Sequence, residues 1–394
     1  MPAIKDVVVS TTTTSQFTGG STNYVVEKPN GDLYVFLTTG LNNIVYHKST
    51  DHGITWGNPV GILTAGGAVA VAVWYDRWSG ISGDVIHIAY IETTNDNVEY
   101  RSLDASTDTL SASPVVILSG TSTAAGGALS ITRARGGNIG VLYCIDAGAE
   151  HGFAVSTDAG ATFTGKNSAT EAATTDQWIL LPGWGADNQD LMCFFWDASA
   201  NEISRKLFDD SANSWAETSI ATLFYDTLAS TLWANWAAAV DLTNSVNVLI
   251  AWNEDNLTGA RFTCWTVTES AITAKTDVIA SSGGWQGFAG LAIDTVTEQW
   301  WAFYLGDGTS AESFPIGNIY AKISADSGTT WGPQFKWTAY ASASAPSVSA
   351  LFICPRFYRS KCPSVLWYDN NSTTFDQMRF CCGVGGAANA RIGV

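Results

Sequence analysis

Along much of the chain, apolar residues alternate with small or polar ones in short runs that end in turns of Gly, Asn, Asp or Ser. A period of two marks half-buried β-strands rather than helices. Seven runs share one form, a small or polar pair followed by an apolar and aromatic stretch: GDLYVFL, GDVIHIAY, GNIGVLY, QDLMCFFW, VNVLIAW, EQWWAFY and PSVLWYD. Their second residues are Asp32, Asp84, Asn138, Asp190, Asn247, Gln299 and Ser364, at intervals of 52, 54, 52, 57, 52 and 65 residues. Each run is followed by a second one, such as NIVYHKS, NVEYRSL or NIYAKIS, and most are preceded by an apolar one, such as AVAVAVWY or GFAGLAI. About four strands per repeat is the arithmetic of a β-propeller blade.

The expected fold is all-β: a single β-propeller domain over residues 1–394, with seven four-stranded blades starting near residues 22, 68, 127, 177, 234, 287 and 347. Six blades is the alternative if the 65-residue interval is not one blade. The last repeat supplies three strands before the chain ends near Val394, and the run IKDVVVST within residues 1–13 has no blade of its own. It is expected to close the ring as the outer strand of the last blade, which removes two exposed edges.

Three segments match S-x-D-x-G-x-x-[WF]: Ser49, Asp51, Gly53 and Trp56; Ser156, Asp158, Gly160 and Phe163; Ser324, Asp326, Gly328 and Trp331. Degenerate copies stand at Asp104–Asp108 and Asp210–Trp215. The pattern is that of a tight hairpin. Ser and Asp bond the turn's own amides, Gly supplies the positive φ, and the aromatic ring folds back onto the blade. Offsets of 107 and 168 residues between the copies fit two and three blade periods.

On these residues the chain resembles the sialidase family and its relatives, whose repeat is called the Asp-box or BNR repeat. The resemblance implies a propeller with structural boxes between third and fourth strands, on the face opposite the usual active site. Sialidases also hold a substrate carboxylate with three arginines, the first in an Arg-Ile-Pro-like motif before the first blade. The matching stretch here is GGSTNYVVEKPNG, and the first arginine of the chain is Arg77. That motif is missing, and no catalytic residue is carried over.

Composition narrows the function classes. The chain has 36 acidic and 19 basic side chains, a net charge of -17, and 17 tryptophans. Such aromatic content excludes disorder, and the acidic balance argues against general nucleic-acid binding. The N-terminus, MPAIKDVVVSTTTTSQF, has no secretory-signal pattern, and the apolar run Gly66–Tyr75 is about half the length that spans a bilayer. No membrane insertion is expected. The seven cysteines lie mostly in strand-like runs and read as small buried hydrophobes, with Cys354 and Cys362 as one candidate bridge. Zinc spacing and CxxC pairs are absent, so no metal or cofactor is expected.

Antiparallel strands put the second-to-third-strand loops and the blade-to-blade loops on one face. There the sequence places Asp96, Asp146, Glu150, Asp197, Glu254, Asp255, Asp307, Asp369 and Asn370, with no arginine in the blade-to-blade loops. Candidate ligand-binding residues are the aromatics Tyr225, Trp233, Trp236 and Trp285, platforms for sugar rings, and the acidic tips Asp197, Asp255 and Asp369. No loop has calcium-site spacing. The opposite face gathers Arg77, Arg133, Arg135, Arg356, Arg359, Lys28 and Lys361. These read either as surface salt bridges or as a docking face for an acidic partner. His87 reads as a core residue, His52 as an exposed box filler, and no Ser/His/Asp grouping is visible.

The expected function is a non-enzymatic structural or binding propeller: a virion surface, tail or capsid-associated component, made in the cytoplasm, that binds glycans on one face and a protein partner on the other. The alternative is an enzyme, an exo-glycosidase of sialidase type or a polysaccharide lyase with a rearranged site.

Overall fold

A computed structural model describes the chain apart from residues 1–6, 11–22, 121–128, 145–150, 169–176, 198–199, 223–234, 254–259, 283–286, 306–317, 338–347, 359–362, 370–376 and 383–394. The protein is an all-β propeller. Its described strands form seven sheets in chain order, with no α-helix among the described residues. The first sheet runs Val25–Glu27, Leu33–Thr38, Ile44–Ser49, Val60–Leu63. The second runs Ala68–Tyr75, Val85–Glu92, Asn97–Asp104, Val115–Leu118. The third runs Leu129–Arg133, Ile139–Cys144, His151–Ser156, Thr164–Lys166. The fourth runs Gln177–Pro182, Leu191–Asp197, Glu202–Asp209, Ser214–Thr222. The fifth runs Trp236–Asp241, Val246–Asn253, Ala260–Val267, Ile272–Ala274. The sixth runs Gly287–Asp294, Trp300–Leu305, Ile319–Ser324, Phe335–Lys336. The seventh runs Val348–Ile353, Ser364–Asp369, Gln377–Cys382, Val7–Ser10.

The expectation of seven four-stranded blades is corrected. Six sheets trace a path of four strands, but the sixth in chain order traces five. Its extra strand, Arg356–Phe357, pairs in parallel with Gly287–Asp294, placing Arg356 opposite Ile293 and Phe357 opposite Asp294. This strand falls inside the 65-residue interval, the longest of the repeat, where the first-to-second-strand connection of the seventh sheet reaches back to its neighbour. Two of the four-strand paths also carry a short strand beside them, Thr109–Leu110 in the second sheet and Ile279–Ser282 in the fifth.

Each sheet packs against the next, and Val25–Glu27 meets Ser364–Asp369, so the ring closes. The N-terminal strand Val7–Ser10 pairs antiparallel with Gln377–Cys382. Closure is reinforced by buried Glu27, whose Oε1 accepts from the Tyr358 amide at 3.2 Å and whose Oε2 accepts from the Ser364 hydroxyl at 2.9 Å. The inner strands Ala68–Tyr75, Trp236–Asp241 and Gly287–Asp294 carry two or three Ala each, and between sheets even a methyl is too much at some points. A Cβ added at Gly290 would lie 2.3 Å from Ile353 Cγ1 of the neighbouring sheet. Trp74, Trp78, Trp252, Trp300, Trp301 and Trp367 are fully buried. Tryptophan abundance is thus largely core packing. Cys193, Cys264 and Cys354 are buried, and Cys354 is a thiol donating to the Arg356 carbonyl oxygen at 3.2 Å; Cys362 lies outside the described residues.

Candidate functional site

The three complete boxes fold alike, between third and fourth strands. In the first, the Ser49 hydroxyl donates to Asp51 Oδ1 at 2.8 Å and accepts from the Gly53 amide at 2.8 Å. Asp51 also accepts from the Thr55 amide at 2.9 Å and the Thr55 hydroxyl at 2.6 Å. Ser156, Asp158, Gly160 and Thr162 repeat these bonds at 2.8, 2.8, 2.9 and 2.6 Å. Ser324, Asp326, Gly328 and Thr330 do so at 2.9, 2.8, 2.8 and 2.7 Å. Gly53, Gly160 and Gly328 have φ of 86, 90 and 79°, the left-handed conformation the turn requires. The Thr before the aromatic is as integral as the Ser and Asp, yet the sequence pattern left it as an unspecified position. Its donated bonds hold the carboxyls of Asp51 and Asp158 down to about 2.

Two of the box aromatics staple their sheet to the preceding one. Trp331 Nε1 of the sixth sheet donates to the Thr276 carbonyl oxygen beside the fifth at 2.9 Å. Phe163 of the third sheet packs on Tyr100 of the second, with ring centroids 5.1 Å apart. The degenerate turn at Asp210–Trp215 does the same work: Trp215 Nε1 donates to the Asn167 carbonyl oxygen of the third sheet at 2.9 Å.

Tyr100 leads from that staple into a buried polar group on the same face. His87 Nδ1 lies 2.7 Å from the Tyr100 hydroxyl, and its Nε2 lies 2.8 Å from Asp76 Oδ1. Arg133, at the end of the third sheet's inner strand, donates to the same Asp76 oxygen. Burial pushes the Asp76 carboxyl up, but the bonds and charges of His87 and Arg133 together outweigh it and hold the group low. Burial pushes His87 down against the opposing pull of Asp76, and burial raises Tyr100. These directions assign a protonated Tyr100 donating to Nδ1 of a neutral imidazole, which donates from Nε2 to ionised Asp76. Tyr, His, Asp and Arg are the equipment of proton transfer. Here Asp76 and His87 are each 2% exposed and Tyr100 3%. At that depth the three side chains are closed to solvent, and the group pins the 76–79 turn between two sheets.

The expected docking-face cations are placed as follows. Arg77 pairs with Asp84 at 3.1 Å and keeps 38% of its side chain exposed. Arg133 is held by Asp76 and donates to the Gly137 carbonyl oxygen at 3.1 Å. Arg135 donates to the carbonyl oxygens of Gly183, Gly185 and Asp187 at 2.7, 2.9 and 3.2 Å and stacks on Trp184. Arg356 is buried and donates to the Val240 carbonyl oxygen at 2.8 Å. Buried Lys28 donates to the Ala105 carbonyl oxygen at 2.5 Å. These cations bind groups of the fold itself: Arg77 and Arg133 meet carboxylates, and Arg135, Arg356 and Lys28 meet backbone carbonyl oxygens. Arg356 is moreover part of the extra strand and not a surface residue. Arg359 and Lys361 lie outside the described residues.

On the loop face the structure corrects one ligand candidate. Trp236 opens the inner strand of the fifth sheet opposite Ala251 and is 3% exposed, part of the core and not a sugar platform. Asp197 is half-buried at a strand end, with Oδ1 accepting from the Ala200 amide at 3.0 Å. Asp369 ends the second strand of the seventh sheet, opposite Gln377. Tyr225, Trp233, Asp255 and Trp285 lie outside the described residues. The described residues hold no group of three or more His, Cys, Asp or Glu able to bind a metal. Asp76, Tyr100 and the box threonines are what the sequence reading missed. The available signal was that a strand histidine buried in DVIHIAY needs a partner for each ring nitrogen.

No protein-family model matches the chain, and no curated protein matches it. Among solved structures it is similar to an ulvan lyase of polysaccharide lyase family PL25, bound to -[GlcA(1-4)Rha3S]-, with a TM-score of 0.59 at 10% identity over 99% of this chain and 100% of that one. It is also similar to the NanB sialidase from Streptococcus pneumoniae, with a TM-score of 0.49 at 10% identity over 97% of this chain and 71% of that one. A third similar structure is the Aleuria aurantia lectin, with a TM-score of 0.42 at 11% identity over 94% and 96% of the two chains. At these identities the likeness is one of fold, and the fold it shows is the β-propeller.

Proposed function

We propose that this chain is a non-enzymatic propeller that binds carbohydrate through its second-to-third-strand and blade-to-blade loops. The observation that carries the reading is the buried Tyr100–His87–Asp76 group, tied off by the partly exposed Arg133. This described Tyr, His and Asp set is committed to holding two sheets together, with exposures of 3% or less for Tyr100, His87 and Asp76. Binding falls to Tyr225, Trp233 and Trp285, with Asp197, Asp255 and Asp369 as acceptors for sugar hydroxyls. A glycan array with the intact chain tests this. Binding weakened by Trp233→Ala and Trp285→Ala supports the reading; no binding, or binding indifferent to both, overturns it. A hydrolase and lyase screen on sialosides and acidic polysaccharides is its counterpart, and turnover of any substrate would replace the reading with the enzymatic one.

The same proposal gives the opposite face to a protein partner on a particle such as a virion, after synthesis in the cytoplasm. Among the described residues of that face, the internal pairing of Arg133, Arg135 and Arg356 narrows the contact to the partly exposed Arg77–Asp84 pair. Loss of particle co-purification in Arg77→Glu is the expected result, and unchanged incorporation would refute it.

A further inference from the structure

Outer strands of a propeller carry open backbone edges, and proteins keep such edges short, charged or broken so that chains do not pair through them. Six of the seven sheets follow that rule here. Their outermost strands are Val7–Ser10, Val60–Leu63, Val115–Leu118, Thr164–Lys166, Ile272–Ala274 and Phe335–Lys336, each of four residues or fewer. The fourth sheet departs from it in length. Its outer strand Ser214–Thr222 has nine residues, SWAETSIAT, with no Pro and no Lys. Ser214, Ala216, Glu217, Thr218, Ser219 and Thr222 are exposed, and among the described residues no strand pairs with its outer side.

We infer that this edge is an interface between two copies of the chain, joined antiparallel through Ser214–Thr222. A two-fold contact requires a patch complementary to itself. A chain of net charge -17 repels its copy unless the contact is locally neutral. Both conditions hold on this strand. Its one charged side chain, Glu217, is paired at 3.6 Å with Lys206 on the adjoining strand. Two-fold pairing about Thr218 sets Thr218 against Thr218, Glu217 against Ser219 and Ser214 against Thr222. Pairing about Ala216 sets Glu217 against Trp215. Neither brings like charges together, and cross-strand Thr and Ser pairs are favourable. The strand slips register at Ile220, so pairing about Ala216, which sets Ser214–Thr218 against itself, lies wholly in the regular stretch, and pairing about Thr218 is regular only over Glu217–Ser219.

The test is sedimentation of the full chain over a concentration series. A monomer–dimer equilibrium is expected, and Thr218→Lys/Ser219→Lys, which places a cation on each face of the strand, should weaken it at least about tenfold. Circular dichroism confirms that the variant folds. A Thr218→Cys variant provides an independent readout, because pairing about Thr218 or Ala216 sets residue 218 within reach of a bifunctional thiol cross-linker. A monomer at every concentration, or a dimer unmoved by the two lysines and not cross-linked through residue 218, would overturn the inference.

Discussion

Replacing Asp76 by Ala tests whether the buried group on the box face is a structural device. The substitution removes an acceptor that takes His87 Nε2 at 2.8 Å, the Val85 amide at 3.3 Å and the Arg133 guanidinium. Arg133 then keeps its charge beside a buried imidazole with no counter-ion. Removing one partner of a buried ion pair costs about 3–5 kcal/mol. At about 2.1 cal/mol/K per residue the unfolding entropy of this chain is roughly 0.8 kcal/mol/K, so the melting temperature should drop by about 4–6 °C. Asp76→Asn keeps an oxygen acceptor and loses the charge, and should cost about half as much. The assay is thermal unfolding followed by tryptophan fluorescence, with circular dichroism to confirm the native sheet content. The double variant Asp76→Ala/Arg133→Ala should be less destabilised than the sum of its singles, by about 1–3 kcal/mol, because removing the orphaned cation relieves its burial. A melting temperature within 1 °C of the parent for Asp76→Ala, or strict additivity in the double variant, would refute the reasoning.

Gly160→Ala should destabilise by roughly 2–4 kcal/mol, since it combines positive-φ strain with overpacking: φ is 90° and the new Cβ would lie 2.4 Å from the Tyr100 ring. Gly120→Ala, with a φ of 73° and open space, should cost only about 1 kcal/mol, and urea unfolding of the two variants makes the comparison. Trp331→Phe keeps the ring packing but loses the bond to Thr276, and should cost about 1 kcal/mol in the same assay. The folded His87 titrates below the usual histidine value because burial disfavours its charge. The unfolded chain therefore binds the proton first, so stability is full above about pH 6.5 and declines as pH falls below it until folded His87 titrates. A His87→Asn variant should show a flatter pH dependence of melting temperature in that range; an unchanged slope would show that His87 does not carry it.

Much of the architecture is legible in the chain because it rests on local, repeated causes. Period-two alternation places GDLYVFL and its relatives as second strands, and Ser, Asp and Gly at fixed offsets define hairpins whose bonds are internal to the turn. The strand count of each sheet was not legible in full. The extra strand Arg356–Phe357 has only two residues and pairs with a segment more than 60 positions away, so it leaves no periodic trace. Trp236 shows the same limit from the other side: a tryptophan beside a loop reads as a platform, whereas its depth depends on the neighbouring sheets.

The sequence by itself determined that strands would form, where they would turn, and that they would stack as a propeller, since these follow from hydrophobic period and turn chemistry within each repeat. Only the tertiary structure decided which polar residues meet. Asp76, His87, Tyr100 and Arg133 come from two sheets, and their pairing follows from sheet-on-sheet packing rather than from spacing. Burial then held His87 and Tyr100 in their neutral forms while their neighbours kept Asp76 ionised against it, and the same packing turned arginines that looked like a docking surface into ties on the protein's own carbonyl oxygens. Charge is written in the chain, but the dielectric and the partners that give it meaning exist only once the ring has closed.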